Sequence, residues 1–348
     1  MIADKLTPTD IHPWVAAAFE SPAERQDGEG DAQARPAHAA RIRFGISIFA
    51  QTPDWPAFIR LVRWMEAHGI DSYWSYDHPR ANVDCWTALT AFALATERIW
   101  LGTMVDCIFY RPPYLLARMA ADVDRISGGR LLLGLGIGDQ PDEFAALGLA
   151  YPPVAVRQKG MEETIRILRG LWSGEPFAFE GEVFRARSDG SFLPPVQQPR
   201  VPILLGGGGE KVTLRQVAQF ADASNMGAHD TIGHAFTAAD VARKFGKLRD
   251  YCDDVGRPFA SILRSQFTMP LILADTRPAL ERKLAAMPQD TLAWCGPALF
   301  AGTPDEAIAF DRDLAGKGFQ YFVANILGGD DETVELLAEA VQPAFDAG

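Results

Sequence analysis

Residues 41–348 predict a closed barrel of about eight parallel strands, each followed by a helix, and three observations lead there. Strand-like and helix-like segments alternate roughly eight times along this stretch. Several strand segments, RLLLGLGI and VPILLGG among them, are apolar on both faces, as strands of a parallel sheet covered by helices must be. At 348 residues and 48% hydrophobic, the chain can bury one large core. A doubly wound open sheet is the other architecture that fits the same alternation.

The elements follow in order. RFGISIF is rich in β-branched and aromatic residues and reads as the first strand. Asp54 precedes WPAFIRLVRWMEAHG, which has apolar residues at helical spacing and Gly69 as its stop. IDSYWSY, IWLGTMV, RLLLGLGI, VPILLGG and ASNMG are the next five strands, with helical segments between them. ILRSQFTMPLILA and FQYFVANI complete the set, and ETVELLAEAVQPAF closes the chain as a helix. Insertions near 173–200 and 286–303 break the rhythm; FAFEGEVFRAR in the first reads as a hairpin turning at Glu180-Gly181. Residues 1–40 are polar and small, an N-terminal extension expected to be loosely ordered. Within it, DIHPWVAAAF suits one short helix that docks Trp14 and Phe19 on the main body.

Composition excludes several classes of partner. The net charge of −12 repels nucleic acid and anionic membranes. No apolar run reaches the length of a membrane span, and no signal peptide opens the chain, so a cytoplasmic protein is expected. The four cysteines form no CxxC and pair with no histidine at metal-ligand spacing. They read as buried thiols, and no metal is expected. G-x-S-x-G, HExxH and Walker motifs are absent.

In barrels of this kind the chemistry sits at the C-terminal ends of the strands. The second strand ends in Asp77 and His78, and a histidine titrating near ~6.5 can exchange a proton at neutral pH. The third ends in LGTMVDC, where Gly102 and Thr103 would let a planar ligand approach the backbone. The fourth ends in GLGIGD. This is not the dinucleotide fingerprint, because Asp139 replaces its last glycine and no helix follows at once. Gly134, Gly136 and Gly138 would instead leave space at the mouth, with Asp139, Asp142 and Glu143 beyond them facing the cavity. Either Asp142 or Glu143 also suits a helix-capping role. The fifth strand runs into Gly206, Gly207, Gly208 and Gly209 just ahead of a helix, with Lys211 nearby. Such amides can cradle a phosphate. Asn225 and Met226 end the sixth. A phosphate grip, glycine-lined strand ends and one proton donor suit a phosphorylated planar redox cofactor.

These residues resemble the luciferase-like flavin monooxygenase superfamily, and within it the branch that uses the deazaflavin coenzyme F420. The resemblance spans about residues 41–345. It rests on EAHGIDSYWSYDH, ALATERIWLGTMV, RPPYLLARMAADVDRISGGRLLLGLGIGDQPDEFAALG, LLGGGGEKVTLRQVAQFADASN and AGTPDEAI, in that order. It implies a TIM barrel with insertions, commonly dimeric, acting on a small organic substrate. It implies that Asp77 and His78 meet the cofactor ring, His78 supplying a proton, and that Met104-Val105 forms a non-prolyl cis peptide against that ring. Asp139 takes the place of a catalytic Glu in some relatives, with a shorter side chain. Asp142 stands where an amide often contacts the cofactor, and Gly206–Gly209 grip its phosphate side. The expected activity is hydride transfer between F420 and an organic substrate. An FMN-dependent monooxygenase and a non-catalytic flavin-binding barrel are the alternatives. Trp86, Phe109, Tyr110 and Trp294 are expected to wall the substrate pocket, or else to belong to a dimer core.

Overall fold

The computed structural model describes residues 12–16, 42–49, 54–80 and 82–346. Most of the N-terminal extension, Phe19 included, lies outside the described residues. Eight strands close a parallel barrel: β1 (Arg43–Phe49), β2 (Ser72–Ser75), β3 (Trp100–Thr103), β5 (Leu131–Gly136), β8 (Ile203–Gly206), β9 (Ala223–Met226), β10 (Leu263–Thr268) and β13 (Tyr321–Leu327). They pair in that circular order, with β13 returning to β1 and β3 bridging to β5. The short β4 (Asp106–Cys107) extends β3 alongside the end of β5. The fold is therefore the (β/α)8 barrel, and the open-sheet alternative falls because β3 pairs with β5.

Local chemistry explains the helices. In α2 (Trp55–Ala67) the Asp54 side chain accepts from Ala57 N, and Pro56 sits in the first turn. Phe58, Val62 and Met65 recur at helical spacing and are buried. Gly69, at φ 79°, ends the run. The helix α8 (Ala238–Asp254) opens on a reciprocal capping box between Thr237 and Asp240.

The first insertion is an antiparallel hairpin, β6 (Pro176–Glu180) with β7 (Arg185–Asp189), closed by the Glu180–Arg185 pair. The Glu163 carboxylate, from α6 (Val154–Trp172), holds its tip by accepting from the amides of Glu182, Val183 and Phe184 at 2.8–2.9 Å. The segment ILRSQFTMPLILA, which reads as one strand, is two. Barrel strand β10 ends before Pro270, which has no N–H to continue a ladder. β11 (Leu271–Leu273) then leaves to pair with β12 (Phe300–Gly302) in a separate two-stranded sheet. Between those strands lie α9 (Arg277–Ala286) and α10 (Gln289–Cys295).

One apolar cluster fills the layer between strands and helices, and a second fills the barrel. Trp74 lies at the centre of the second. A Cβ on Gly45 would stand 2.5 Å from its Nε1, and one on Gly102 2.3 Å from its Cε3. Gly102 thus makes room for Trp74. The lower opening of the barrel is stopped by α1 (Pro13–Ala16), whose Trp14 is 3% exposed. Its ring lies 6.5 Å from Trp100 and 6.1 Å from Tyr321, at the starts of β3 and β13. His12 fixes the segment through Nε2 to Arg200 O at 2.8 Å and through Nδ1, which accepts from Trp14 N at 3.1 Å. Trp14→Ala is expected to cost about 3–5 kcal/mol of stability, the usual range for emptying a buried tryptophan site. A urea midpoint unchanged from the parent would show that the helix only rests on the surface.

Candidate active site

A cavity of about 1060 Å³ opens at the C-terminal ends of the strands. Asp77, His78, Met104, Val105, Asp139, Gly206–Gly209 and Asn225 all line it. Thr103 and Asp142 do not. Thr103 is fully buried and donates to Gly134 O at 2.7 Å. Of the expected substrate wall, Tyr110 and Trp294 line the cavity, whereas Trp86 is buried and donates from Nε1 to Asp106 at 2.7 Å, and Phe109 packs on Phe184.

The acids after β5 separate because they begin a helix. In α5 (Pro141–Ala146) the proline takes the first position, and Asp142 and Glu143 the next two. Successive helical residues point about 100° apart. The Asp142 side chain is 86% exposed and pairs with Arg80, while that of Glu143 is 8% exposed. Glu143 meets His78 Nδ1 at 3.0 Å from both oxygens and accepts from the Tyr110 hydroxyl at 2.7 Å. Burial alone would lower the His78 pKa, but the Glu143 carboxylate, helped by Asp139 and Asp77, raises it above the ordinary value. Burial alone would raise Glu143, but donation from His78 and Tyr110 brings it below the usual carboxylate range. With Nδ1 committed to Glu143, Nε2 is the ring atom left to exchange a proton in the cavity. Sequence reasoning left Glu143 as one of the acids facing the cavity or as a helix cap; the signal that decides between them is the helix phase set by Pro141.

Asp77 has a different neighbour. Arg111 grips both its oxygens at 2.7 Å, and Oδ2 also accepts from Cys107 N at 3.1 Å. The same guanidinium reaches Asp106 at 3.0 Å. Asp77, Cys85 and Asp106 place ligand-type atoms within 4.8 Å of one another, and Arg111 supplies the positive charge between the two carboxylates.

The Met104–Val105 peptide is cis. The glycines around it make room for protein atoms. A Cβ at Gly134 would lie 2.0 Å from Thr103 O, one at Gly136 2.4 Å from Val105 Cγ2, and one at Gly206 3.1 Å from Val105 Cγ1. The bare ends of β5 and β8 therefore admit the β3–β4 connection, and Val105 is seated where they would otherwise gape.

Across the cavity, Gly207 takes φ 104° and donates to Asn225 O at 2.9 Å. The amides of Gly208 and Gly209 have no hydrogen-bond partner among the described residues. A turn then leads into α7 (Thr213–Phe220). A Cβ at Gly208 would strike Gly233 O at 2.4 Å, so the loop stays stripped and its unused amides suit an anionic group. Lys211 lines a shallower groove beyond Thr213, outside the main cavity. Arg157 is a further lining residue that sequence reasoning missed. It donates to Gly138 O and, at 3.0 Å, to Pro152 O, which ties α6 to the loop carrying Asp139.

Comparison with known proteins identifies the family. The profile of the luciferase-like monooxygenases matches residues 23–337. A 5,10-methylenetetrahydromethanopterin reductase of Archaeoglobus fulgidus is 26% identical over 87% of this chain and 99% of its own length. An F420-dependent glucose-6-phosphate dehydrogenase of Amycolatopsis mediterranei is 26% identical over 81% of this chain and 92% of its own. The solved structure of the coenzyme F420-dependent tetrahydromethanopterin reductase from Methanopyrus kandleri superposes with a TM-score of 0.73 at 19% identity, over 88% of this chain and 100% of that one, and so shares its fold. The chain belongs to the luciferase-like monooxygenase family.

Proposed function

We propose that this protein is an oxidoreductase that transfers a hydride between the deazaflavin coenzyme F420 and a small organic substrate. One observation carries the reading. A histidine held through Nδ1 by a buried carboxylate opens on the same cavity as a glycine loop with unused amides. One end suits a proton exchange and the other an anionic anchor, as a phosphorylated redox cofactor requires. The amides of Gly208 and Gly209 would hold its phosphate, with Asn225 beside them and Val105 backing its ring. When bound, the cofactor supplies the hydride chemistry. His78 holds or gives the proton at Nε2, and Glu143 and Tyr110 keep the imidazole in place. The relatives named as F420-dependent favour the deazaflavin, while the family description itself names monooxygenases and keeps FMN as the second reading.

The test is a titration of purified protein with F420 and, separately, with FMN. Tighter retention of F420 is the expected result, and preferential binding of FMN reverses the order of the two readings. Turnover on a panel of alcohols, enones and imines separates an enzyme from a barrel that only binds its cofactor.

The same reading takes the protein as cytoplasmic and homodimeric. Cys85, Cys107, Cys252 and Cys295 are buried free thiols, which favours a reducing compartment. No helix among the described residues is long and apolar enough to cross a membrane. The dimer rests on the family resemblance, and sedimentation measures it.

A further inference from the structure

The circular order of the strands divides the mouth of the cavity. β5, β8 and β9 are consecutive and bring the glycine loops, Arg157 and Asn225. β10, β13, β1 and β2 are also consecutive and bring Phe267, Leu327, Phe49, Tyr76 and His78. Helix α10 adds Trp294, 57% exposed, beside the connection that follows β9. The half is aromatic in its contacts. Tyr76 lies 6.4 Å from Phe49 and 6.3 Å from Phe267, both edge to face, and His229 holds Trp294 through a ring contact at 4.9 Å.

Its charge is one-sided. No lysine lines the cavity among the described residues, and the single arginine, Arg157, stands in the other half with its guanidinium on Gly138 O. The other charged side chains that line the cavity are His78 with its partner Glu143, Asp77, Asp139 at the rim, Asp290 on α10, and the Asp230–His234 pair. An anionic substrate would lose its water against aromatic walls and acids, where the cation at the reacting end, the His78 imidazolium, is already paired with Glu143.

Resting on the F420 reading above, we propose that this half is a substrate compartment for neutral, largely apolar alcohols and ketones of aromatic or alicyclic bulk, and that it rejects phosphorylated and carboxylated compounds. In the reducing direction the carbonyl carbon accepts a hydride from the reduced deazaflavin, and its oxygen takes the proton from His78 Nε2. A C–H and an O–H bond form, the carbonyl π bond is lost, the cofactor ends oxidised, and solvent returns the proton to His78. Trp294 sets the width of the compartment.

The experiment compares acetophenone with 4-acetylbenzoate, its charged counterpart, and with glucose 6-phosphate. Binding to the purified protein is followed by calorimetry with and without F420, and turnover with reduced F420 for the ketones or oxidised F420 for the sugar phosphate. Acetophenone is expected to bind and to be reduced, with 4-acetylbenzoate poorer by about a hundredfold or more and glucose 6-phosphate inert. Trp294→Ala is expected to raise KM for acetophenone several-fold more than KM for acetone. Binding or use of either anion on a par with acetophenone overturns the proposal, as does a failure of acetophenone to bind. F420 binding is measured directly in the same samples, so its absence sinks the cofactor reading, whereas F420 binding with anion preference sinks only the substrate class.

Discussion

Replacing His78 by alanine lowers turnover by about 10²–10⁴-fold while leaving cofactor affinity within a few-fold of the parent. That is the span a positioned acid–base group contributes. The expectation follows from where the imidazole is held. Glu143 occupies Nδ1 at 3.0 Å and is itself held by Tyr110, so the ring is fixed and only Nε2 is left to exchange a proton. The proposed anchor for the cofactor's anionic end, Gly206–Gly209, lines the same cavity away from His78 and should survive the substitution. A variant that keeps full activity removes His78 from the chemistry. A variant that loses F420 binding in proportion to activity makes it a binding residue instead.

The proposed acid–base role also implies a pH dependence. The Glu143 carboxylate raises the pKa of His78 over what burial alone would give. Reduction of a carbonyl needs the imidazolium, so the rate holds at low pH and falls as pH rises through that raised value. Glu143→Gln removes the charge, so the fall moves to lower pH; a change of amplitude with no movement of the limb gives Glu143 a purely structural role. The stability linkage has the same sign. A histidine whose folded pKa lies above its unfolded value stabilises the fold below the unfolded value, and loses that contribution as pH rises through the folded one.

Replacing Arg111 by methionine should cost about 3–5 kcal/mol of stability near neutral pH, the usual result of removing one member of a buried ion pair. Asp77 and Asp106 are 7% and 0% exposed, and Arg111 is the cation both touch. Asp106 Oδ1 is already buried without a partner among the described residues. Burial, and then the Asp77 charge, push the Asp106 pKa well up, and Arg111 opposes them. Without it the carboxyl has more to gain from a proton. The folded state then binds protons that the unfolded state, with carboxyl pKa near ~3.9, has released. The deficit should therefore grow as pH rises and shrink toward ~5, which urea midpoints at ~5 and ~8 would read. A loss under about 1 kcal/mol, or one equal at both pH values, would mean that the two acids find other partners.

The barrel was legible because its signal is local and repeated. A run such as RLLLGLGI has no polar face to turn to water, so helices must cover both sides, and eight repeats leave closure as the natural solution. Which residues stand at strand ends followed from the same alternation. That is why Asp77, His78, Val105, Gly206 and Asn225, far apart in the chain, were expected at one opening. What could not be read depends on contacts made only when the barrel closes. Glu143 finds His78 65 residues away because α5 begins at a proline and turns its third residue inward. Gly102 looks like space for a ligand until Trp74 from the neighbouring strand fills it. ILRSQFTMPLILA looks continuous because hydrophobicity does not reveal that Pro270 cannot carry a ladder into the next strand.

The stopper at the lower opening belongs to the same chain but not to the repeating βα pattern. Trp14 stays seated partly because the polypeptide tethers it, which keeps its local concentration high. A protease that nicked the backbone anywhere between Ala16 and Arg43 would leave all eight strands uncut, yet turn an intramolecular plug into a separable peptide. The nicked barrel would then lose stability on dilution as the plug peptide dissociates.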